Sequence, residues 1–132
     1  MSEGSPHGGE CVLVVEDEED AREMMRELIE LGGCSAMLAA NGADALEMLA
    51  SHRPCLIVVD LLMPVMDGIE LVEELRRRPE LATIPVIIAT SAPYRAPHGV
   101  PVLPKPIDVT SLWGWMRRTC RCARAEPATV AR

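Results

Sequence analysis

The apolar positions of the chain come in short continuous runs set between stretches of helical period. Cys11-Val-Leu-Val-Val15, Cys55-Leu-Ile-Val-Val59 and Val86-Ile-Ile-Ala-Thr90 are the three strong runs; Ser35 to Ala39 and Val100 to Leu103 are weaker, the latter interrupted by Pro101. Runs this short, apolar at nearly every position rather than at alternate ones, predict strands covered on both faces. From Glu19 to Leu31, Ala21, Met24, Met25, Leu28 and Leu31 fall on one stripe, with Arg22, Glu23, Arg26, Glu27 and Glu30 opposite and Gly32-Gly33 as the stop. Further helices are predicted from about Ala43 to Ala50 after an Asn41-Gly42 turn, from about Ile69 to Arg78 before Pro79, and from about Val109 to Cys122 behind the cap residue Asp108. In the last helix Val109, Leu112, Trp113, Met116 and Cys120 share a stripe, which puts Trp113 in the core and leaves Trp115 at least partly exposed.

Strands alternating with helices build βαβ units and a parallel sheet. Five strands and four or five helices predict an open, doubly wound α/β sheet with helices on both faces, in which ligands bind at the carboxyl ends of the strands. Those ends are unusually polar. The first strand runs into Glu16-Asp17, the third into Asp60 and the fourth into Thr90, and Lys105 follows the fifth. Two carboxylates 4 Å apart repel by about 4 kcal/mol at an effective dielectric near 20, so such a cluster calls for a cation. Oxygen donors of this kind suit Mg²⁺. A metal-bound carboxylate beside a hydroxyl and an ammonium also describes an acyl-phosphate site: a carboxylate oxygen attacks phosphorus while the neighbouring groups neutralise the phosphoryl oxygens.

Composition narrows the classes. The chain has 132 residues, which is one domain with short tails, read here as 1–9 and 123–132 around a domain at 10–122. A net charge of −7 argues against nucleic-acid backbone as the main partner, and 48% apolar residues argue against disorder. With two Trp, one Tyr and no Phe, stacking platforms for single-stranded nucleic acid are not expected. No run is long enough to span a bilayer and no secretory signal is visible, so the expectation is a cytoplasmic protein with neither membrane nor nucleic acid among its partners. Of the five cysteines, Cys11 and Cys55 begin apolar runs and read as small buried hydrophobes. Cys120 and Cys122 read as exposed thiols in a reducing compartment, and the spacings fit no zinc pattern. The run Arg76-Arg77-Arg78 complements a helix dipole, and His7, His52 and His98 are assigned no role.

The segments VLVVEDEED, LIVVDLLMPVMDG, IPVIIATSA and LPKPID together resemble the response-regulator receiver domain, the CheY-like fold of two-component signalling, over about residues 10 to 122. The resemblance implies strand order 2-1-3-4-5. It implies Asp60 as phosphoacceptor, Glu16 and Asp17 as the acidic pair that binds Mg²⁺, and the backbone carbonyl of Leu62 as a third protein ligand. It further implies Thr90 and Lys105 as the residues that contact the phosphoryl group, and a cis bond between Lys105 and Pro106. The donor would be a phosphohistidine on a sensor histidine kinase or a phosphotransfer protein, and the output a contact with a downstream protein. On this reading the chain is a stand-alone receiver, no enzyme in the ordinary sense but a phosphoacceptor that promotes its own phosphotransfer and dephosphorylation.

Two departures bear on the output. Thr90 and Lys105 are 15 residues apart, a shorter spacing than the family carries. Five of the eleven prolines fall between 93 and 106, so the family's fourth helix is expected to be shortened or absent. The position three before the lysine, usually a switching aromatic, is Val102. These changes suggest as an alternative a phosphorylation-independent interaction module on a receiver scaffold. A small phosphohydrolase with an Asp nucleophile is disfavoured, because Leu62 stands where that pattern needs a second acid. A glycine-rich phosphate loop is also missing from the sequence.

Overall fold

The computed structural model describes residues 11–63 and 65–124. The proposed N-terminal tail and the C-terminal residues from 125 onward lie outside that range. Five strands form one parallel sheet: β1 (Cys11–Val15), β2 (Ser35–Ala39), β3 (Leu56–Asp60), β4 (Val86–Thr90) and β5 (Val102–Pro104). Their order is β2-β1-β3-β4-β5, as in a CheY-like sheet. Helices α1 (Glu19–Leu31), α2 (Gly42–Leu49), α3 (Gly68–Arg77) and α4 (Val109–Thr119) connect and follow the strands.

Strand alternation distributes the core between two layers. Val12 and Val14 of β1 and Leu56 and Val58 of β3 face Met25 and Ile29 of α1 and Leu112, Trp113 and Met116 of α4. The alternate residues Leu13, Val15, Ile57 and Val59 face Ala45 and Leu49 of α2 and Leu71 and Leu75 of α3. Because helices cover both faces, all four of these β1 residues and all four of these β3 residues are buried, and this is why the strands read as unbroken apolar runs. Local signals open the helices: Asp108, the expected cap, accepts from the Thr110 N–H, Asn41 of the predicted turn caps α2 by accepting from the Asp44 N–H, and Asp67 and Glu70 form a capping box on α3 that was not among the sequence expectations.

Four sequence expectations need correction. In α1 the buried residues are Met25 and Ile29, whereas Met24 and Leu31, placed on the apolar stripe, are 61% and 43% exposed. The stripe is rotated because α1 must pack against both the sheet and α4, where the Trp113 indole N–H donates to the Leu28 carbonyl at 2.8 Å. Second, α4 ends at Thr119 and not at Cys122; Cys120 is extended at φ −126°, ψ 133°. Third, Cys120 and Cys122 are not exposed thiols but buried, and Cys55 is not an inert hydrophobe. Cys34 pairs with Cys122, and Cys55 with Cys120, in disulfides with Cα–Cα distances of 5.1 and 5.2 Å. Residues 123 and 124, assigned to the tail, also lie against the domain: Ala123 packs on the core and the Arg124 N–H donates to the Gly32 carbonyl at 2.9 Å.

In place of the family's fourth helix there is a single 3₁₀ turn, Pro93–Arg95. Pro93 opens the turn and Pro97 prevents its continuation. Trp115 is half-buried, with the Arg118 guanidinium 4.3 Å from its ring centroid. No helix among the described residues is long and apolar enough to cross a membrane.

Candidate functional site: a carboxylate cluster at the carboxyl edge of the sheet

Strand register builds the site. Val15 of β1 lies opposite Val59 of β3, so the next residues out, Glu16 and Asp60, are neighbours where the two strands end. Asp60 in turn pairs with Ala89 of β4, which sets Thr90 one step beyond it on the adjoining strand. The Lys105 N–H donates to the Thr90 carbonyl at 2.9 Å, fixing the start of the β5–α4 connection beside β4. The Lys105–Pro106 bond is cis.

These placements bring the predicted residues together. Carboxylate oxygens of Glu16, Asp17 and Asp60 all lie within 4.8 Å of one another. The Lys105 ammonium donates to Glu16 Oε1 at 2.9 Å and sits 3.7 Å from Asp60 Oδ2. Glu16 is buried and Asp17 exposed, so the cluster has one closed and one open side. Thr90 is 1% exposed and its Oγ1 accepts from the Ala92 N–H at 2.9 Å. Leu62 follows Asp60 closely enough for its N–H to face Asp60 Oδ1 at 3.4 Å, at the outer limit of a hydrogen bond. Gly68 is required behind the site, because a Cβ there would lie 2.6 Å from the Asp60 carbonyl oxygen and 2.9 Å from Leu61 Cα.

Charges and burial set the acid–base character. Burial raises the Asp60 carboxyl, and the adjacent Glu16 charge raises it further; Lys105 and the Leu62 N–H pull it down, and the result is about 6 against an ordinary 3.8. Burial also opposes ionisation of Glu16. There the hydrogen bond from Lys105, the Glu18 N–H and the Lys105 charge prevail and hold the carboxyl below its ordinary value. Burial works against the Lys105 ammonium, yet the Glu16 hydrogen bond and the Asp60 charge keep its proton affinity above the usual lysine value. Without a further cation, Lys105 balances Glu16 first and Asp60 incompletely.

Arg22 lies on the polar face of α1, where helical period alone gives it no role. Its Nη1 donates to the Glu16 carbonyl at 2.9 Å and the Asp17 carbonyl at 3.1 Å, which pins the acidic loop from the first turns of α1. An Arg five or six residues after an acidic pair was the available signal, but periodicity sorts residues only into inward and outward. A groove of about 410 Å³ leads off the cluster between Met24, Met25 and Leu28 of α1 and Lys105, Pro106 and Ile107 of the β5–α4 connection.

The donor set can be tested against a metal by its chemistry. Three carboxylates, one of them exposed, supply hard oxygen ligands and leave room for water, as Mg²⁺ requires. The cluster of thiols lies elsewhere: among the described residues, the Cys34, Cys120 and Cys122 group belongs to the segments that precede β2 and follow α4.

The chain matches the response regulator receiver domain family over residues 12–111. It is 34% identical over 122 residues to the response regulator MprA of Mycobacterium tuberculosis, and 34% identical over 120 residues to MprA of Mycobacterium avium. These alignments take in 89% and 87% of this chain but 53% of each relative, so the chain spans about half the length of the curated relatives it matches. Among solved structures, a CheY-like receiver domain from Methylobacillus flagellatus superposes with a TM-score of 0.76 at 28% identity, covering 83% of this chain and 98% of that one. The receiver domain of a signal transduction histidine kinase from Syntrophus aciditrophicus gives 0.75 at 29% identity, covering 93% and 98%. Receiver domains accept phosphoryl groups, generally bind Mg²⁺ at an acidic pocket, and work with histidine kinases or phosphotransfer proteins. Sequence, sheet order and the carboxylate edge agree, and the chain belongs to the response regulator receiver domain family.

Proposed function

We propose that this protein accepts a phosphoryl group from a phosphohistidine donor onto Asp60, with Mg²⁺ held by Glu16, Asp17, Asp60 and the Leu62 carbonyl, and signals by protein contact. The observation that carries this reading is the Glu16–Asp17–Asp60 cluster with Lys105 bridging two of its members. Bound Mg²⁺ supplies positive charge to the carboxylates and the phosphoryl oxygens. An Asp60 oxygen forms the new bond to phosphorus as the phosphorus–nitrogen bond of the donor breaks, and the departing imidazole takes up a proton. Thr90 Oγ1 already accepts from Ala92, so its own hydrogen is available to a phosphoryl oxygen. Lys105 exchanges part of its pairing with Glu16 for the incoming negative charge. The protein is a phosphoacceptor assisting its own phosphorylation and dephosphorylation rather than an enzyme turning over a substrate. The groove beside α1 is open to a donor protein at the edge where the chemistry occurs.

The test is incubation with acetyl phosphate and Mg²⁺ followed by intact mass. One phosphoryl group is expected on the wild type and none on Asp60→Asn. Uptake by Asp60→Asn, or none by the wild type, overturns the reading. The second outcome favours a phosphorylation-independent interaction module, the reading suggested by Val102 and the single 3₁₀ turn.

A further inference from the structure

Four of the five cysteines converge on the sheet edge opposite the carboxylates. Cys34 precedes β2 and Cys55 precedes β3, so in a parallel sheet both stand at the amino-terminal edge. Cys120 and Cys122 follow α4, which returns the chain to that edge. Cys120 and Cys122 are both buried, while Arg121 between them is exposed. The Sγ atoms of Cys34, Cys120 and Cys122 all lie within 4.8 Å of one another, and Cys55 is bonded to Cys120. Cys34, Cys120 and Cys122 are buried at 3%, 6% and 6% exposure, whereas Cys55 is only half-buried.

We propose that Cys34, Cys55, Cys120 and Cys122 form a reversible thiol-oxidation site, with Cys55 as its entry point, that clamps the end of α4 to the sheet. A hydroperoxide is the oxidant. The Cys55 thiolate attacks the peroxide oxygen as the O–O bond breaks, giving a sulfenic acid and an alkoxide or hydroxide that takes up a proton to leave as alcohol or water; the Cys120 thiol then displaces the sulfenic oxygen as water and closes Cys55–Cys120. Each pair gives up two electrons, so two equivalents of peroxide oxidise all four thiols. A dithiol reductant reverses this by exchange, opening Cys55–Cys120 first because Cys55 is the accessible sulfur. The Cys120 thiolate so released lies within 4.8 Å of both sulfurs of Cys34–Cys122 and passes the exchange to the buried pair. The Cα–Cα distances of 5.1 and 5.2 Å fall within disulfide reach, which favours pairing over a tetrathiolate metal centre.

The clamp holds segment 120–124, whose backbone ties include the Cys120 N–H to the Met116 carbonyl and the Arg124 N–H to the Gly32 carbonyl. Reduction therefore loosens this segment while the Trp113–Leu28 bond keeps the body of α4 docked. The carboxylate cluster lies about 16 Å away, the length of a five-residue strand, so its chemistry continues in either redox state.

The whole protein is reduced with dithiothreitol, desalted, divided, and one half treated with hydrogen peroxide. Both halves are then denatured, alkylated with iodoacetamide and weighed. Five adducts are expected on the reduced chain, matching its five cysteines, and one on the oxidised chain. Trypsin separates Cys120 from Cys122 at Arg121 and a glutamate-specific protease separates Cys34 from Cys55 at Glu47, so the doubly digested linked peptides must show 34 with 122 and 55 with 120. Reduction should lower the melting temperature by about 20 °C. Cys55→Ser should slow reduction of Cys34–Cys122, whereas Cys11→Ser should not. Five adducts after peroxide, other linkages, or one tightly retained zinc ion with thiols that resist peroxide would each overturn the proposal.

Discussion

Asp60→Asn is expected to stabilise the protein when no divalent metal is present. Asp60 is only 13% exposed at its side chain, and its proton affinity is raised from the ordinary 3.8 to about 6 by burial and then by Glu16. At about 1.4 kcal/mol per factor of ten, ionising this carboxyl costs the folded state about 3 kcal/mol. Asparagine removes that charge with little change of shape; the attraction of Lys105 is already contained in the net figure, and the discount is for solvent screening and for the weaker hydrogen bond a neutral amide accepts from Leu62. A net gain of about 1–2 kcal/mol remains, or roughly 5–10 °C in melting temperature for a domain of this size. The sign with pH follows from the direction of the shift. A carboxyl raised in the folded state favours the fold when protonated, so its contribution is complete below about pH 4 and is lost as pH rises through 6. The variant and the wild type should therefore melt together at pH 4 and separate by pH 7.5. Mg²⁺ should close the gap at pH 7.5, raising the wild type by about 1.4 kcal/mol at ten times its dissociation constant and about 2.7 kcal/mol at a hundred times, and the variant by less. Scanning calorimetry with the cysteines held in one redox state measures all of this. A variant that melts below the wild type at pH 7.5 without metal, or a gap unchanged at pH 4, would refute the cluster as a site of stored repulsion.

Lys105→Met should destabilise the metal-free protein by about 1–3 kcal/mol, because it leaves Glu16 and Asp60 without their shared cation; melting curves should show Mg²⁺ recovering much of the loss. Gly68→Ala should cost at least about 2 kcal/mol in denaturant unfolding, since the added methyl meets the Asp60 carbonyl oxygen and Leu61 Cα rather than a movable side chain. An unchanged midpoint would show that the β3–α3 junction yields more easily than its contacts indicate. In the segment 92–102, a phosphoryl mimic on Asp60 should change hydrogen exchange by ordering or releasing the 3₁₀ turn beside Thr90, with Trp115 at the margin of the responding surface. Identical protection with and without the mimic would remove this segment as the readout.

Local pattern determined much of this protein. Strands buried on both faces must be apolar at every position, so β1, β3 and β4 were legible as unbroken runs, and the polar residues that ended them marked the edge where chemistry gathers. Asp108 announced its helix because a cap acts within one turn of chain, and the Asn41-Gly42 turn marked where α2 begins. The prolines between 93 and 106 excluded a regular helix for an equally local reason. Tertiary structure decided whatever depends on which distant segments become neighbours. The β1–β3 register sets Glu16 beside Asp60, and the packing of α1 on α4 turns Ile29 inward and Met24 outward. Arg22 acquires its task only when the acidic loop folds back over α1. Cys34 and Cys122 are 88 residues apart and Cys55 and Cys120 are 65 apart, so no spacing rule could pair them. Their pairing follows from parallel strands that place every strand start at one edge and from a last helix that returns the chain there.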